Sequence, residues 1–400
     1  MNKFLHCNII NLSLIFLVGL CSAYITSVTS FSPYYLGLLV SLCFSFIVFI
    51  NRLTVLNDDV CKSLGNVIVL MSIFYVVNVC YTKTFDKAFG LSFVLLINQL
   101  STLLVYSFCK LSKNNQLYFI KKTVRFYFIV EVIIGIVDLI YRFHIRNHCF
   151  SGMQYFYNFK GSIMFDDSNW NGFIYMISYA FFLYLYDNYR IVSKKQLQIL
   201  FLFCVCSLSR AALFCTILVI MYSRFLKLSK RKKSLYIILL STFGSVAAPF
   251  FIWYVTHDDS FNTKLIILKG LSYFLTHNQI EKLLIGFGFG FAAGDLADMY
   301  LNYSGVHGHL YIVIKLMDFG ILGLFLELIY FFTIMRLTNF KFLYLFIPFF
   351  ICGLSMAPGN LSFLYCFSGV VIFLEQNRNK ILGVSYARRI NQCNNANLQC

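Results

Sequence analysis

The sequence predicts an all-α, polytopic integral membrane protein with about twelve transmembrane helices and a large outward loop before the last three. Three observations carry this expectation. The 400 residues are 59% hydrophobic and 12% charged, with a mean hydropathy of +0.74, whereas soluble domains are about a quarter charged. Apolar runs of membrane-spanning length recur along the whole chain. The cations between those runs alternate in density, which is the pattern that orients membrane helices. Disorder is excluded by 46 Phe and 27 Tyr against 4 Pro, because disordered chains are poor in aromatics.

A helix needs about 20 apolar residues to cross a bilayer, and somewhat fewer where it is tucked among neighbours. The runs lie at 8–28, 34–50, 64–81, 89–109, 123–141, 172–186, 197–209, 211–223, 235–255, 317–335, 342–357 and 361–374. The first could pass for a signal peptide, since Lys3 precedes an apolar stretch ending in Cys21, Ser22 and Ala23. Its removal would make the span count odd and reverse the charge asymmetry, and Leu20 stands where a lipoprotein site needs a small residue. We read it as an uncleaved first span. The seventh and eighth runs are short and meet at Arg210, and the last two are separated by Pro358 and Gly359.

With the N-terminus inside, most of the 33 Lys and Arg fall in inner loops, including Lys110 to Arg125, Arg190 to Lys195, Arg224 to Lys233 and Arg378 to Arg389. Both termini are therefore expected inside. Residues 1–374 form one membrane domain, and 375–400 form a basic tail. The formal charge of +17 follows this membrane rule and does not imply nucleic acid. The run "LKLSKRKKS" at 226–234 is an anchor for anionic lipid.

Polar chemistry collects in two outer loops, 142–171 and 256–316. Six of the seven histidines fall there: His144, His148, His257, His277, His307 and His309. In the second loop, Leu265, Leu268, Leu271 and Leu275 recur at helical spacing, predicting an amphipathic helix over 264–276 that lies on the membrane surface. "IGFGFGFAAG" then sets Gly286, Gly288, Gly290 and Gly294 in a row. A dinucleotide loop would need a preceding strand, so these glycines serve tight turns or close backbone approach, or form a plain flexible loop. The 14 cysteines lie almost entirely in or beside apolar runs, where a thiol packs as a small apolar group. Only Cys149 lies in an outer loop, so no disulfide framework is expected.

Arg210 is the sharpest single residue. An arginine between two apolar runs is costly unless it pairs or serves a pathway, and its guanidinium grips phosphate with two parallel bonds. The alternative partner is Glu131 or Asp138, seven residues apart on one face of the fifth helix.

Four patches together resemble the bacterial O-antigen polymerase and ligase superfamily, which acts on undecaprenyl-pyrophosphate-linked sugars. "FDDSNWNGF" resembles its Asn-Gly segment opening a helix. "LSRAAL" resembles its Ser-Arg pair between central helices, and "LIGFGFG" its Gly-x-Gly loop. "HLYIVIKLMDFGILG" resembles a histidine followed at a fixed interval by Gly-x-x-Gly, here His309, Gly320 and Gly323. Two positions depart from the pattern: Leu310 stands where the family has Asn, Ser or Gln, and Lys264 where it has arginine.

The resemblance implies an inner-membrane glycosyltransferase that joins lipid-linked repeat units into O-antigen or capsular polysaccharide at the periplasmic face. It implies Arg210 as pyrophosphate ligand with Lys264 assisting, and His309 or His307 as base. Asp295 and Asp298 would hold acceptor hydroxyls, and Asn169, with Asp166 and Asp167, would contact glycan or fix the first loop. For each acid in the loops, a solvated surface role is the plain alternative. A chain-length regulator and a flippase of the same pathway are the implied partners, besides the bilayer itself. No cofactor is expected. A metal site at His307, His309, Asp295 and Asp298 is disfavoured because the spacing matches no zinc pattern. The rival functions are an O-antigen ligase, differing only in acceptor, and a lipid-linked oligosaccharide flippase. A flippase should show charges lining a central cavity, short outer loops and internal repeats.

Overall fold

In the computed structural model, which describes residues 3–26, 32–51, 58–82, 85–112, 116–144, 158–164, 168–256, 259–290, 310–354 and 361–381, each of the twelve apolar runs overlaps a helix. These are α1 (Lys3–Gly19), α2 (Pro33–Asn51), α3 (Asp59–Cys80), α4 (Phe85–Leu111), α5 (Gln116–His144), α6 (Ser168–Tyr189), α7 (Lys194–Cys206), α8 (Arg210–Lys227), α9 (Lys230–Thr256), α12 (Tyr311–Leu337), α13 (Leu343–Gly353) and α14 (Ser362–Gln376). Between α9 and α12 lie α10 (Asp259–His277) and the short α11 (Ile280–Ile285). No strand occurs among the described residues.

The sequence of α6 is apolar or small on nearly every side from Gly172 to Leu185, and so is that of α14 from Ser362 to Leu374. A helix of that kind must be surrounded, and both stretches are buried throughout. They form the centre of the bundle, joined where Phe181 stacks on Phe367 at 4.1 Å between ring centroids. Gly369 lets α14 approach α4 so closely that a Cβ there would lie 2.6 Å from the Thr102 carbonyl oxygen, the small-residue contact expected of tightly packed helices. Seven of the described thiols, Cys21, Cys61, Cys109, Cys204, Cys215, Cys352 and Cys366, are buried as apolar packing groups.

Among the described residues, three helices are long and apolar enough to cross a membrane: Asp59–Cys80, Phe89–Leu111 and Lys230–Phe250. The expectation of about twelve reduces to three by length and composition for physical reasons. Some helices are short, such as α13. Others carry ionisable residues, as α5 does with Glu131, Asp138 and Arg142, and α8 with Arg210, Arg224 and Lys227. Helix α12 is broken at Gly320.

Exposure along α5 is inverted relative to a soluble helix. Glu131, Asp138 and Arg142 are buried, while Ile129, Ile133, Ile136, Val137, Ile140 and Phe143 are exposed. Helix α9 exposes Leu235, Ile238, Phe243, Val246 and Phe250, and its span is buried nowhere. The helix expected over 264–276 is present as α10. It packs on α12 through Ile267, Leu271 and Phe274, against Leu310, Val313 and Met317, while the Leu265, Leu268 and Leu275 stripe stays exposed.

Polar contacts sort the helix termini into two ends. At one end, Tyr184 donates to Glu375 at 2.8 Å, Lys227 pairs with Asp187 at 2.5 Å and Lys110 with Asp58 at 2.9 Å. At the other end, Tyr24 bonds Ser362, Thr26 bonds the Met164 carbonyl and Arg142 bonds the Cys206 carbonyl. Arg210 belongs to this second end.

Candidate functional site

The Arg210 end is built around a buried knot where α5, the segment 158–164, α6 and the α7–α8 turn meet. Asp138 and Arg142 are four residues apart, hence on one face of α5, and pair at 3.7 Å with 1% and 3% side-chain exposure. Asp138 Oδ1 also accepts from Ser162 Oγ at 2.7 Å and from the Ile163 N–H at 3.1 Å. Asn171 Nδ2 donates to Ser162 Oγ at 2.6 Å. The guanidinium spends its remaining donors on carbonyls, with Nε to Phe159 at 2.6 Å and Nη1 to Cys206 at 2.9 Å. One fork thus ties the loop before α6 to the end of α7, a task suited to the fixed geometry of arginine.

Gly172 brings the "FDDSNWNGF" and "LSRAAL" patches together. A Cβ there would meet Ser207 Oγ at 2.6 Å and Ser209 Cβ at 2.6 Å, so only glycine lets α6 lie against the turn. That turn reverses through Leu208 at φ 57°, and Ser209 caps α8 by accepting the Ala212 N–H at 3.4 Å. Arg210 follows as the first residue of α8 and is exposed. Of its two alternative carboxylate partners, Asp138 is held by Arg142 and Glu131 Oε2 accepts from Ser22 Oγ at 2.6 Å.

Lys264 and the start of α12 converge on the same end. Lys264, half-buried on α10, lies within electrostatic range of Cys352, which sits beside Cys215 on the second turn of α8. Phe349 on α13 contacts both Phe173, next to Gly172, at 6.1 Å and Tyr311, the first residue of α12, at 5.3 Å. Asn169 is half-buried in the first turn of α6. Asp166, Asp167, Asp295, Asp298, His307 and His309 lie outside the described residues. The residue after His309, Leu310, is buried against α10.

The Gly-x-Gly loop meets a break in α12. Gly286, Gly288 and Gly290 all have positive φ, at 85°, 108° and 89°, a backbone that glycine adopts freely. Within α12, Gly320 is non-helical at φ 66° and ψ −171°. A continuous helix would pair the carbonyls of Met317 and Asp318 with the N–H groups of residues 321 and 322. Here the Met317 carbonyl accepts from the Phe287 N–H at 2.8 Å, and the Asp318 carbonyl from the Gly288 N–H at 3.0 Å. Asn78 Nδ2 clamps both segments, donating to the Ile285 carbonyl at 2.7 Å and to the Asp318 carbonyl at 2.9 Å. Asp318 Oδ2 accepts the Gly290 N–H at 3.0 Å. Irregular backbone of this kind survives in a membrane only when protein or water satisfies it.

Beside the break, Lys315 and Glu327 form a buried ion pair at 3.1 Å. The ammonium faces the rings of Phe319, Tyr311 and Phe289 at 5.1, 5.6 and 5.9 Å, a desolvated cation–π arrangement. The sequence alone does not single out Arg142, Asn78, Lys315, Asp318 or Glu327. Charges inside apolar helices are the available signal for four of them, but a tenth span that begins at 317 places Lys315 in the loop.

Among the described residues no three His, Cys, Asp or Glu side chains gather as a metal site. The chain matches no family model and no curated protein.

Proposed function

We propose that the chain is a polytopic inner-membrane glycosyltransferase, both termini cytoplasmic, that polymerises undecaprenyl-pyrophosphate-linked repeat units at the periplasmic face. The observation that carries this reading is the convergence of Arg210, Lys264, the Asn-Gly helix start and the approach to α12 at one end of the bundle. Membrane embedding of the whole bundle is supported by α5, which buries its charges and exposes its isoleucines. That arrangement suits lipid and not water. The Glu375 end carries Lys110, Lys227 and Arg378, in keeping with a cytoplasmic position.

In this reaction an acceptor sugar hydroxyl attacks the anomeric carbon of the donor, whose bond to the pyrophosphate oxygen breaks. The electron pair leaves on undecaprenyl pyrophosphate, and the hydroxyl proton passes to a base, assigned to His309 with His307 beside it. Arg210 and Lys264 would meet the charge that grows on the leaving phosphate, and such fixed cations commonly supply the largest part of the rate. Holding donor and acceptor together removes a bimolecular entropy cost.

Deletion of the gene followed by surface-glycan electrophoresis tests the reading. Single repeat units on lipid A-core support a polymerase, and bare core with lipid-linked polymer supports a ligase. Arg210→Ala should abolish chain lengthening while the protein stays in the membrane, and normal polymer length would contradict the assignment. A second reading, the flippase, is favoured by one observation: buried charges at Glu131, Asp138, Arg142, Lys315 and Glu327 are what a translocation pathway needs. Repeat units trapped inside the cell would establish it.

A further inference from the structure

The α5–α6 seam holds more buried polarity than the proposed transfer uses. On α6, Ser168, Asn171, Tyr175 and Ser178 are spaced by three or four residues and share one face. On α5, Tyr127, Glu131, Asp138 and Arg142, at intervals of four and seven, also share one face. All eight are buried. Tyr127 and Ser178 bond each other at 2.5 Å, closing the seam at its deep end, and the Asp138–Arg142 knot lies at its outer end. Along these two faces, Glu131 Oε1, Tyr175 OH, Asn171 Oδ1 and Ser168 Oγ are buried with no hydrogen-bond partner among the described residues.

Four such atoms lie on these two buried faces. Buried polar groups are nearly always satisfied, and an orphan bears its full desolvation cost. Ordered internal water is the usual remedy where several polar atoms face one another. Tyr175 lies within electrostatic range of Glu131, Asp138 and Arg142, and its ring stacks on Phe203 of α7 at 5.2 Å between centroids.

We propose that Glu131 is a proton-exchange site inside the membrane, connected to the Arg210 end by a file of water along Ser168, Asn171 and Tyr175. The inference goes beyond glycosyl transfer and rests only on the membrane placement of the bundle. In the step itself, the proton on Oε1 passes to the oxygen of an adjacent water, which releases one of its own to the next. Tyr175 can accept at its phenolic oxygen while its hydroxyl proton moves outward. The carboxylate left behind keeps the Ser22 hydroxyl on Oε2. The titratable groups around Glu131 are Cys21 after α1, Tyr127 on its own helix, Tyr175 on α6 and Cys204 on α7. Asp138 and Arg142 stand two to three turns along α5. An acid in such surroundings is the default functional group of a membrane interior.

Infrared spectroscopy of the full chain in lipid vesicles tests this without any assay of transfer. A protonated-carboxyl stretching band should be present in the wild type, fade as bulk pH rises, and move when the vesicles are transferred to D2O. Glu131→Gln should remove the band. Should that variant fail to fold, Glu131→Asp should shift it. Tyr175→Phe should keep the band but lose the deuterium shift on the timescale at which the wild type shows it. A band that ignores D2O, the lack of any band sensitive to position 131, or wild-type exchange in Tyr175→Phe would each overturn the proposal.

Discussion

The ion pair across the break in α12 gives the most quantitative test of the fold. Lys315 and Glu327 are twelve residues apart, so a continuous helix would separate them by about 18 Å along its axis and turn them to different faces. A lysine and a glutamate side chain cannot bridge that gap, yet Nζ and Oε2 are 3.1 Å apart. Only the departure at Gly320, where φ is 66°, lets the two half-helices bring these residues together. Both side chains are under a tenth exposed, at 8% and 5%, so removing one partner strands a charge in a dry interior. Lys315→Met alone, or Glu327→Gln alone, should therefore cost about 3–5 kcal/mol, the usual result of breaking a buried pair. The double variant Lys315→Met/Glu327→Leu should recover most of the loss, because well-packed apolar replacements of buried pairs are often neutral. Unfolding of the purified protein in mixed micelles, run as a double-mutant cycle, measures both quantities. Single variants within about 0.5 kcal/mol of wild type, in the range of ordinary surface substitutions, or a strictly additive double variant would show that the pair does not hold the break.

Other substitutions separate local strain from loss of chemistry. Gly320→Ala and Gly286→Ala should each destabilise by more than the roughly 1–2 kcal/mol that a left-handed backbone alone costs. Their Cβ atoms would lie 2.4 Å from the Leu284 carbonyl carbon and 2.5 Å from that of Asp318; Gly65→Ala, with open space around it, serves as the control in the same unfolding measurement. Arg142→Lys should lower stability nearly as much as Arg142→Ala, since a point cation cannot reproduce the fork to Phe159, Cys206 and Asp138. Comparison of the two melting curves checks this. On the proposed polymerase reading, Gly172→Ala should reduce polymer length more than protein abundance, because it pushes α6 off the Ser207–Arg210 turn. Glycan electrophoresis beside an immunoblot reads both.

The helices were legible because their cause is local. Apolar runs bounded by cations mark where helices lie, and each of the twelve runs overlaps one, although α1, α5 and α12 begin well before their runs. The amphipathic stripe on α10 was legible too, but its packing face was not. Leu265, Leu268 and Leu275 satisfy the periodicity, while Ile267 and Phe274 on the neighbouring face make the contact with α12. A stripe reports that a helix has an apolar side, not which of two apolar sides meets protein.

The site was legible only where one residue carries its own signal. Arg210 stands out because arginine between apolar runs is costly, and the loop glycines stand out because only they take positive φ readily. That the glycines fit against the carbonyls of Met317 and Asp318 depends on a break that the run "HLYIVIKLMDFGILG" hides, since its pattern reads as continuous helix on both sides of Gly320. Once the break is known, the roles of its neighbours follow. Asn78 must donate to two freed carbonyls, Lys315 can reach Glu327, and Asp318 can take a loop N–H with its carboxylate. A helix interruption thus turns residues that would sit on separate faces into one connected cluster. That cluster joins the loop before α12 to α3 and α12 at the end where Arg210 lies. A sugar or phosphate bound at that end would press on the same backbone that Asn78 and Lys315 hold in place. Asn78→Leu should therefore impair stability and, on the proposed polymerase reading, chain lengthening as well, whereas a variant that altered neither would show the break to be independent of the site.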